Sequence, residues 1–131
     1  MTARRHNPQT LDEVLQSTSD TLFPAELGRR KVELSSRDVD GDTPLHVIVW
    51  RNDLAGAELL VAAGADIDAI GDMGETPLHI AVRNKNPSLV LLLLRADAKI
   101  GIRSEFGTTP REMSEQIGGE IGDMFTKSST E

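Results

Sequence analysis

The sequence predicts an all-α solenoid, a stack of helix-turn-helix units joined by β-hairpin-like fingers, and three observations that share one period predict it. Thr-Pro-Leu-His stands at residues 43–46 and again at 76–79, thirty-three residues on, and a decayed copy, Thr-Pro-Arg-Glu, opens at Thr109 after the same interval. The glycines two residues upstream, Gly41, Gly74 and Gly107, keep that spacing, as do Leu59-Leu60 and Leu92-Leu93. A unit of this length cannot bury its apolar face alone, so its neighbours must complete the core.

Residues 1–37 carry no full copy of the motif and are expected to form a capping unit, a decayed first repeat. Thr10-Leu11-Asp12-Glu13 is a capping box, in which hydroxyl and carboxylate each accept from the other residue's backbone N–H, and it opens a helix bearing Leu11, Val14 and Leu15. Phe23-Pro24-Ala25-Glu26-Leu27 predicts a second short helix, and residues 31–35 alternate like a strand leading into the first finger. Residues 38–70 are the first complete unit. Thr43 can cap free amides of a first turn, and Pro44 suits the first helical position because no N–H is needed there. That helix runs through Leu45, Val47, Ile48 and Val49 to about Asn52-Asp53. A second, from about Leu54 to Ala62, is closed by Gly64, which takes positive φ easily.

Residues 71–103 repeat the unit, with Leu78, Ile80, Ala81 and Val82 on the first helix and the apolar run 89–94 on the second. Asn86-Pro87 opens that second helix, and Asp97 stands where the first unit has Gly64. Aspartate tolerates a left-handed cap less well than glycine, so this end is expected to be frayed or differently closed. Residues 104–126 form a capping unit whose first helix is polar (Arg111, Glu112, Ser114, Glu115, Gln116), as the solvent-facing end of a stack must be. Met113, Ile117, Ile121, Met124 and Phe125 supply its inner face. Residues 127–131 are expected to be a loose tail, and the whole chain one domain.

Gly-Asp-Thr-Pro-Leu-His, Leu-Leu-Val-Ala-Ala-Gly-Ala-Asp-Ile-Asp-Ala and Gly-Glu-Thr-Pro-Leu-His-Ile-Ala resemble ankyrin repeats, with period, cap, histidine and Gly-Ala-Asp finger in that family's order. The resemblance covers about residues 38–125 and implies two full ankyrin repeats between N- and C-terminal capping units. It implies that His46 and His79 are structural, each ring bonding the backbone of the adjoining turn, and that variable residues face a concave binding surface.

Composition excludes several classes. Lys plus Arg number 14 against 21 Asp plus Glu, a net charge of −7, which disfavours nucleic acid and anionic membranes and suits a basic protein partner. Three Phe, one Trp and no Tyr leave few platforms on which bases could stack. There is no cysteine, so no disulfide framework, thiolate nucleophile or Cys-ligated zinc exists, and a reducing compartment is allowed. The basic N-terminus is not followed by the roughly seven to fifteen apolar residues of a signal peptide, and the run 89–94 is far short of the ~20 residues of a membrane span. The expected location is the cytoplasm.

Catalytic and metal constellations are missing from the pattern. Asp38-Val39-Asp40-Gly41-Asp42 starts like a calcium loop, but its glycine is fourth rather than sixth and Val49 stands where the twelfth-position glutamate belongs. Neither a Gly-x-Ser-x-Gly elbow nor a phosphate-binding glycine loop occurs, and Gly118-Gly119 is a helix breaker. His6 is expected to be disordered. No enzyme activity, cofactor or metal is expected.

Trp50, the only tryptophan, follows the core positions of its helix and either packs on a neighbour at the rim or serves as a binding anchor. Arg51 lies beside it, with Arg83 and Asn84 at the equivalent places one repeat on. Finger residues Val39, Asp40, Asp42, Ile70, Asp72, Met73, Glu75, Arg103, Glu105 and Phe106 continue the surface. Residues 40–72 hold one Arg against seven acids, a bias that is either a solvated face or a docking surface for basic groups. The expected function is non-catalytic binding of one protein partner through the concave face by a chain that is a monomer when free. The chain resembles small stand-alone bacterial-type ankyrin proteins, some of which neutralise a toxin as its immunity protein, and the resemblance implies that role as one form the binding could take. The alternatives are a regulatory or scaffold subunit of a cytoplasmic enzyme, self-association through apolar finger tips and, more remotely, a metal-binding or hydrolytic protein.

Overall fold

The computed structural model describes residues 9–129, and among them eight α-helices and no strands form a ladder of helix pairs joined by fingers. The helices are α1 (Leu11–Ser17), α2 (Ser19–Leu22), α3 (Pro44–Trp50), α4 (Leu54–Ala62), α5 (Pro77–Arg83), α6 (Pro87–Arg95), α7 (Pro110–Ile117) and α8 (Gly119–Ser129). Inner helices α3, α5 and α7 pack in series, outer helices α4, α6 and α8 do the same, and each inner helix packs on the outer helix that follows it. The all-α solenoid is therefore observed. His6 lies outside the described residues.

One device starts four of these helices. Thr10, Thr43, Thr76 and Thr109 recur every thirty-three residues, and each hydroxyl accepts from the backbone N–H three residues on, at 3.1, 3.4, 3.4 and 3.0 Å. In return the third residue's side chain accepts from the threonine N–H: Glu13 at 2.9 Å, His46 at 3.1 Å, His79 at 3.0 Å and Glu112 at 3.1 Å. Each cap thereby satisfies two of the amides a helix leaves unpaired at its start. The N-terminal unit keeps the period of the repeats although it has lost their Pro-Leu-His.

The core runs through the stack as one cluster. Leu45, Ile48, Val49, Leu60, Leu78, Val82, Leu89, Val90 and Leu93 are buried at its centre, Val14, Leu15 and Leu22 extend it toward α1 and α2, and Ile121 and Phe125 close it on α8. Each such side chain contributes about 1.5–3 kcal/mol by leaving water. Met113, Ile117 and Met124 pack partly buried against that end. Gly118 and Gly119, at φ 70° and 59°, make the turn from α7 into α8.

Several local expectations are corrected. Residues 31–35 form no strand: Val32 is buried, but its N–H is taken by the Gln16 side chain at 3.2 Å, and Ser36 turns back to the Glu33 carbonyl at 3.0 Å. The segment from Phe23 carries only a 3₁₀ turn, Pro24–Glu26, stopped by Leu27 at φ 54°, while the preceding α2 was not anticipated. Asp97 does not fray its helix. It takes φ 68°, and Asp97 N–H and Ala98 N–H reach Leu94 and Leu93 carbonyls at 3.0 Å each, as Gly64 and Ala65 reach Val61 and Leu60. Helix α8 runs from Gly119 to Ser129. No helix among the described residues is long and apolar enough to cross a membrane.

Candidate functional site

The fingers are tight turns tied by backbone bonds, not β-ladders. In each, the first residue's N–H donates to the fifth residue's carbonyl: Asp38 to Asp42 at 3.0 Å, Gly71 to Glu75 at 2.9 Å and Ser104 to Thr108 at 3.0 Å. His46 Nε2 then donates to the Glu75 carbonyl at 3.0 Å and His79 Nε2 to that of Thr108 at 2.9 Å. Because Nδ1 of each ring accepts from its threonine N–H, the ring is the neutral tautomer with its proton on Nε2. Burial holds both imidazoles below their ordinary pKa, opposed at His46 by the Asp42 carboxylate and at His79 by the Thr108 carbonyl. The histidines thus fasten each inner helix to the next finger, and no metal-ligating group of three or more His, Cys, Asp or Glu occurs among the described residues.

Neighbouring fingers are also cross-linked. Asp72 N–H donates to Asp42 Oδ1 at 2.9 Å, and Glu105 N–H donates to the Met73 carbonyl at 2.9 Å. Met73 reaches that geometry by adopting φ 61°, an uncommon conformation for a side-chain-bearing residue. Gly71 is required at the junction, since a Cβ there would meet the Asp42 carboxylate and stand 2.8 Å from His46 Nε2.

Between the first two fingers and helices α3 and α5 lies a groove of about 270 Å³. It brings together Asp42, Trp50, Asp72, Met73, Glu75 and Arg83 from the sequence-derived set, and adds Thr21, His46, Val47 and Ile80. Val47 with Trp50, and Ile80 with Arg83, are three apart on their helices and share one face, with each pair thirty-three residues from the other. That spacing is the signal that could have assigned Val47 and Ile80 to the groove, because sequence alone reads them as core. Thr21 carries no such signal, since it comes from the irregular N-terminal unit. Trp50 is 64 % exposed and Met73 47 %, whereas Glu75 is 6 % exposed and ion-paired with Arg83.

The remaining sequence-derived residues divide into two groups. Arg51 donates to Ser17 Oγ, the Ser17 carbonyl and Thr21 Oγ1 at 3.1, 3.0 and 3.3 Å, fastening α3 to the N-terminal unit. Asn84 reaches the Val49 and Trp50 carbonyls and Asn52 Oδ1 at 3.3–3.4 Å. Arg103 holds the Gly107 carbonyl at 2.7 Å and the Glu112 carboxylate at 3.2 Å. The donors of these three are engaged inside the stack. Val39, Ile70 and Phe106 are instead exposed finger residues outside the groove, and Glu105 is exposed with its N–H spent on Met73. Asp40 sits at the first finger tip, where the Asp72 carboxylate chiefly, then partial desolvation, and then Asp38 and Asp42 raise its carboxyl from the ordinary value.

A family model for ankyrin repeats, in three copies, matches residues 3–104. The match starts within the N-terminal unit that keeps the threonine period and stops at the third finger. No curated protein matches the chain.

Proposed function

The chain belongs to the ankyrin-repeat family, whose members are generally non-catalytic protein–protein interaction modules, and we propose that it works by holding one protein partner against its concave face. The observation that carries this reading is the groove, where a tryptophan 64 % exposed to water lies with Met73 and Ile80 beside Asp42 and Asp72. Large apolar side chains left in water beside unpaired charge are the composition of an interface core awaiting its partner. Trp50 and Met73, with Phe106 on the third finger, serve as apolar anchors. Asp40, Asp42 and Asp72 meet basic groups of the partner and speed encounter.

The partner is a basic protein, and the role is that of an immunity protein that occupies a toxin, in a cytoplasmic chain that is monomeric when free. The acidic groove supports this choice, since a nucleic-acid-cleaving toxin presents a basic surface. A regulatory or scaffold subunit of a cytoplasmic enzyme would use the same face, and only the partner's identity separates the two roles.

The test is affinity capture from the source cell with identification of what is bound, comparing the parent chain with Trp50→Ala and with Asp40, Asp42 and Asp72 reversed in charge. The expected result is one stoichiometric partner, lost from Trp50→Ala and weakened by charge reversal, whose expression alone arrests growth. A partner retained by both variants would remove the concave-face reading.

A further inference from the structure

We propose that the groove is a socket for a single arginine side chain of the partner, with its guanidinium over the Trp50 indole and paired with the carboxylates of Asp42 and Asp72. This rests on the partner-binding reading and adds to it the residue that is recognised. Size limits the occupant first. At about 270 Å³ the groove falls below the roughly 300–1,000 Å³ of pockets that enclose drug-sized ligands, and it suits one long side chain.

Chemistry then selects a cation. Trp50, Met73 and Ile80 give the groove apolar surface, while three carboxylates, those of Asp42, Asp72 and Glu75, face one guanidinium, that of Arg83. Arg83 is committed to Glu75, so Asp42 and Asp72 have no ion pair among the described residues. The bond from Asp72 N–H to Asp42 Oδ1 ties the Asp72 backbone to the Asp42 carboxylate across the repeat boundary, and it leaves Asp42 Oδ2 and the whole Asp72 carboxylate available. Asp72 also acts on the neighbouring finger tip, where the Asp40 carboxyl gives up its proton less readily beside it. A cation placed between Asp42 and Asp72 supplies the counter-charge that neither has among the described residues.

Arginine fits better than lysine for two reasons. A planar guanidinium stacks on an indole face, and its forked donors engage two carboxylates at once. The Glu75–Arg83 pair shows the same groove already holding a guanidinium against a carboxylate, so an incoming arginine repeats there a contact the fold itself makes.

The test is titration of the full chain with N-acetyl-arginine amide, followed by ¹H–¹⁵N NMR at constant ionic strength, with the lysine and citrulline amides as controls. Saturable shifts are expected at the Trp50 indole N–H and the Asp72 amide, about fivefold weaker for lysine and about tenfold weaker for uncharged citrulline. Asp72→Asn, whose side chain makes no bond in the fold, is expected to weaken arginine by about fivefold while leaving the rest of the spectrum in place. Equal binding of citrulline, indifference to Asp72→Asn, or shifts that do not saturate would overturn the socket. Shifts at these resonances on raising protein concentration alone would assign the groove to a second copy, and overturn it too. If the captured partner depends on Trp50 but the arginine amide gives no response, the socket fails and partner binding stands; a partner indifferent to Trp50→Ala removes the partner-binding reading itself.

Discussion

His46 reaches across the repeat boundary to Glu75: its Nε2 donates to the Glu75 main-chain carbonyl at 3.0 Å while its Nδ1 accepts from Thr43 N–H. His79 bridges to Thr108 in the same way. Each ring therefore needs one nitrogen protonated and the other bare. A second proton turns an acceptor into a donor facing a backbone N–H.

This sets a pH dependence of stability. Burial lowers both folded-state values from the ordinary 6.5, so between 6.5 and the lowered value the unfolded chain binds more protons than the folded one. The stability the two rings contribute is complete above 6.5 and is lost as pH falls through that window. Urea unfolding at stepwise lower pH is expected to show the loss beginning as pH falls below 6.5. His46→Gln with His79→Gln keeps a side chain able to cap but removes the titration, and its stability is expected to be flat over the same range.

Arg83→Ala leaves the Glu75 carboxylate, 6 % exposed, without its cation. Because the guanidinium is half exposed, water replaces part of what is lost. The expected cost is about 1–2 kcal/mol, below the roughly 3–5 kcal/mol of a fully buried pair broken on one side. Adding Glu75→Gln is expected to restore most of it, which a double-mutant cycle by chemical denaturation measures. An Arg83→Ala chain as stable as its parent would show the pair to be incidental.

Asp97→Gly is expected to stabilise the chain by about 0.5–1 kcal/mol, since Asp97 holds φ 68° where Gly64, one repeat earlier, holds φ 99°. The gain is net of glycine's greater freedom when unfolded. A rise in the thermal midpoint checks it, and a fall would mean that the aspartate is not strained there.

Helix starts were readable because their cause is local: a threonine, a proline and a residue three further on act within one turn. The same logic failed at Asp97, where the bonds to Leu93 and Leu94 outweigh the backbone's reluctance to turn left-handed. It also failed at residues 31–35, where alternation suggests a strand but the Gln16 side chain takes the N–H a partner strand would need. In the site, Trp50 and the acids could be named from sequence because each departs from what a repeat requires. Their grouping could not, since the Asp42–Asp72 and Arg83–Glu75 contacts exist only after the units stack. Nor could the engagement of Arg51, Asn84 and Arg103, whose acceptors come largely from carbonyls and hydroxyls brought near by folding.

The threonines at 10, 43, 76 and 109 make the molecule a ruler with a fixed graduation. A copy of residues 43–75 spliced in after Glu75 would carry its own cap, present its own imidazole to the added finger base and meet Thr76 in step, so the groove would lengthen by one whole division. An insertion of any other length inside a helix pair would put caps and finger bases out of step and leave an imidazole with nothing to grasp. Reach along a partner is thus adjustable in this architecture only by integers.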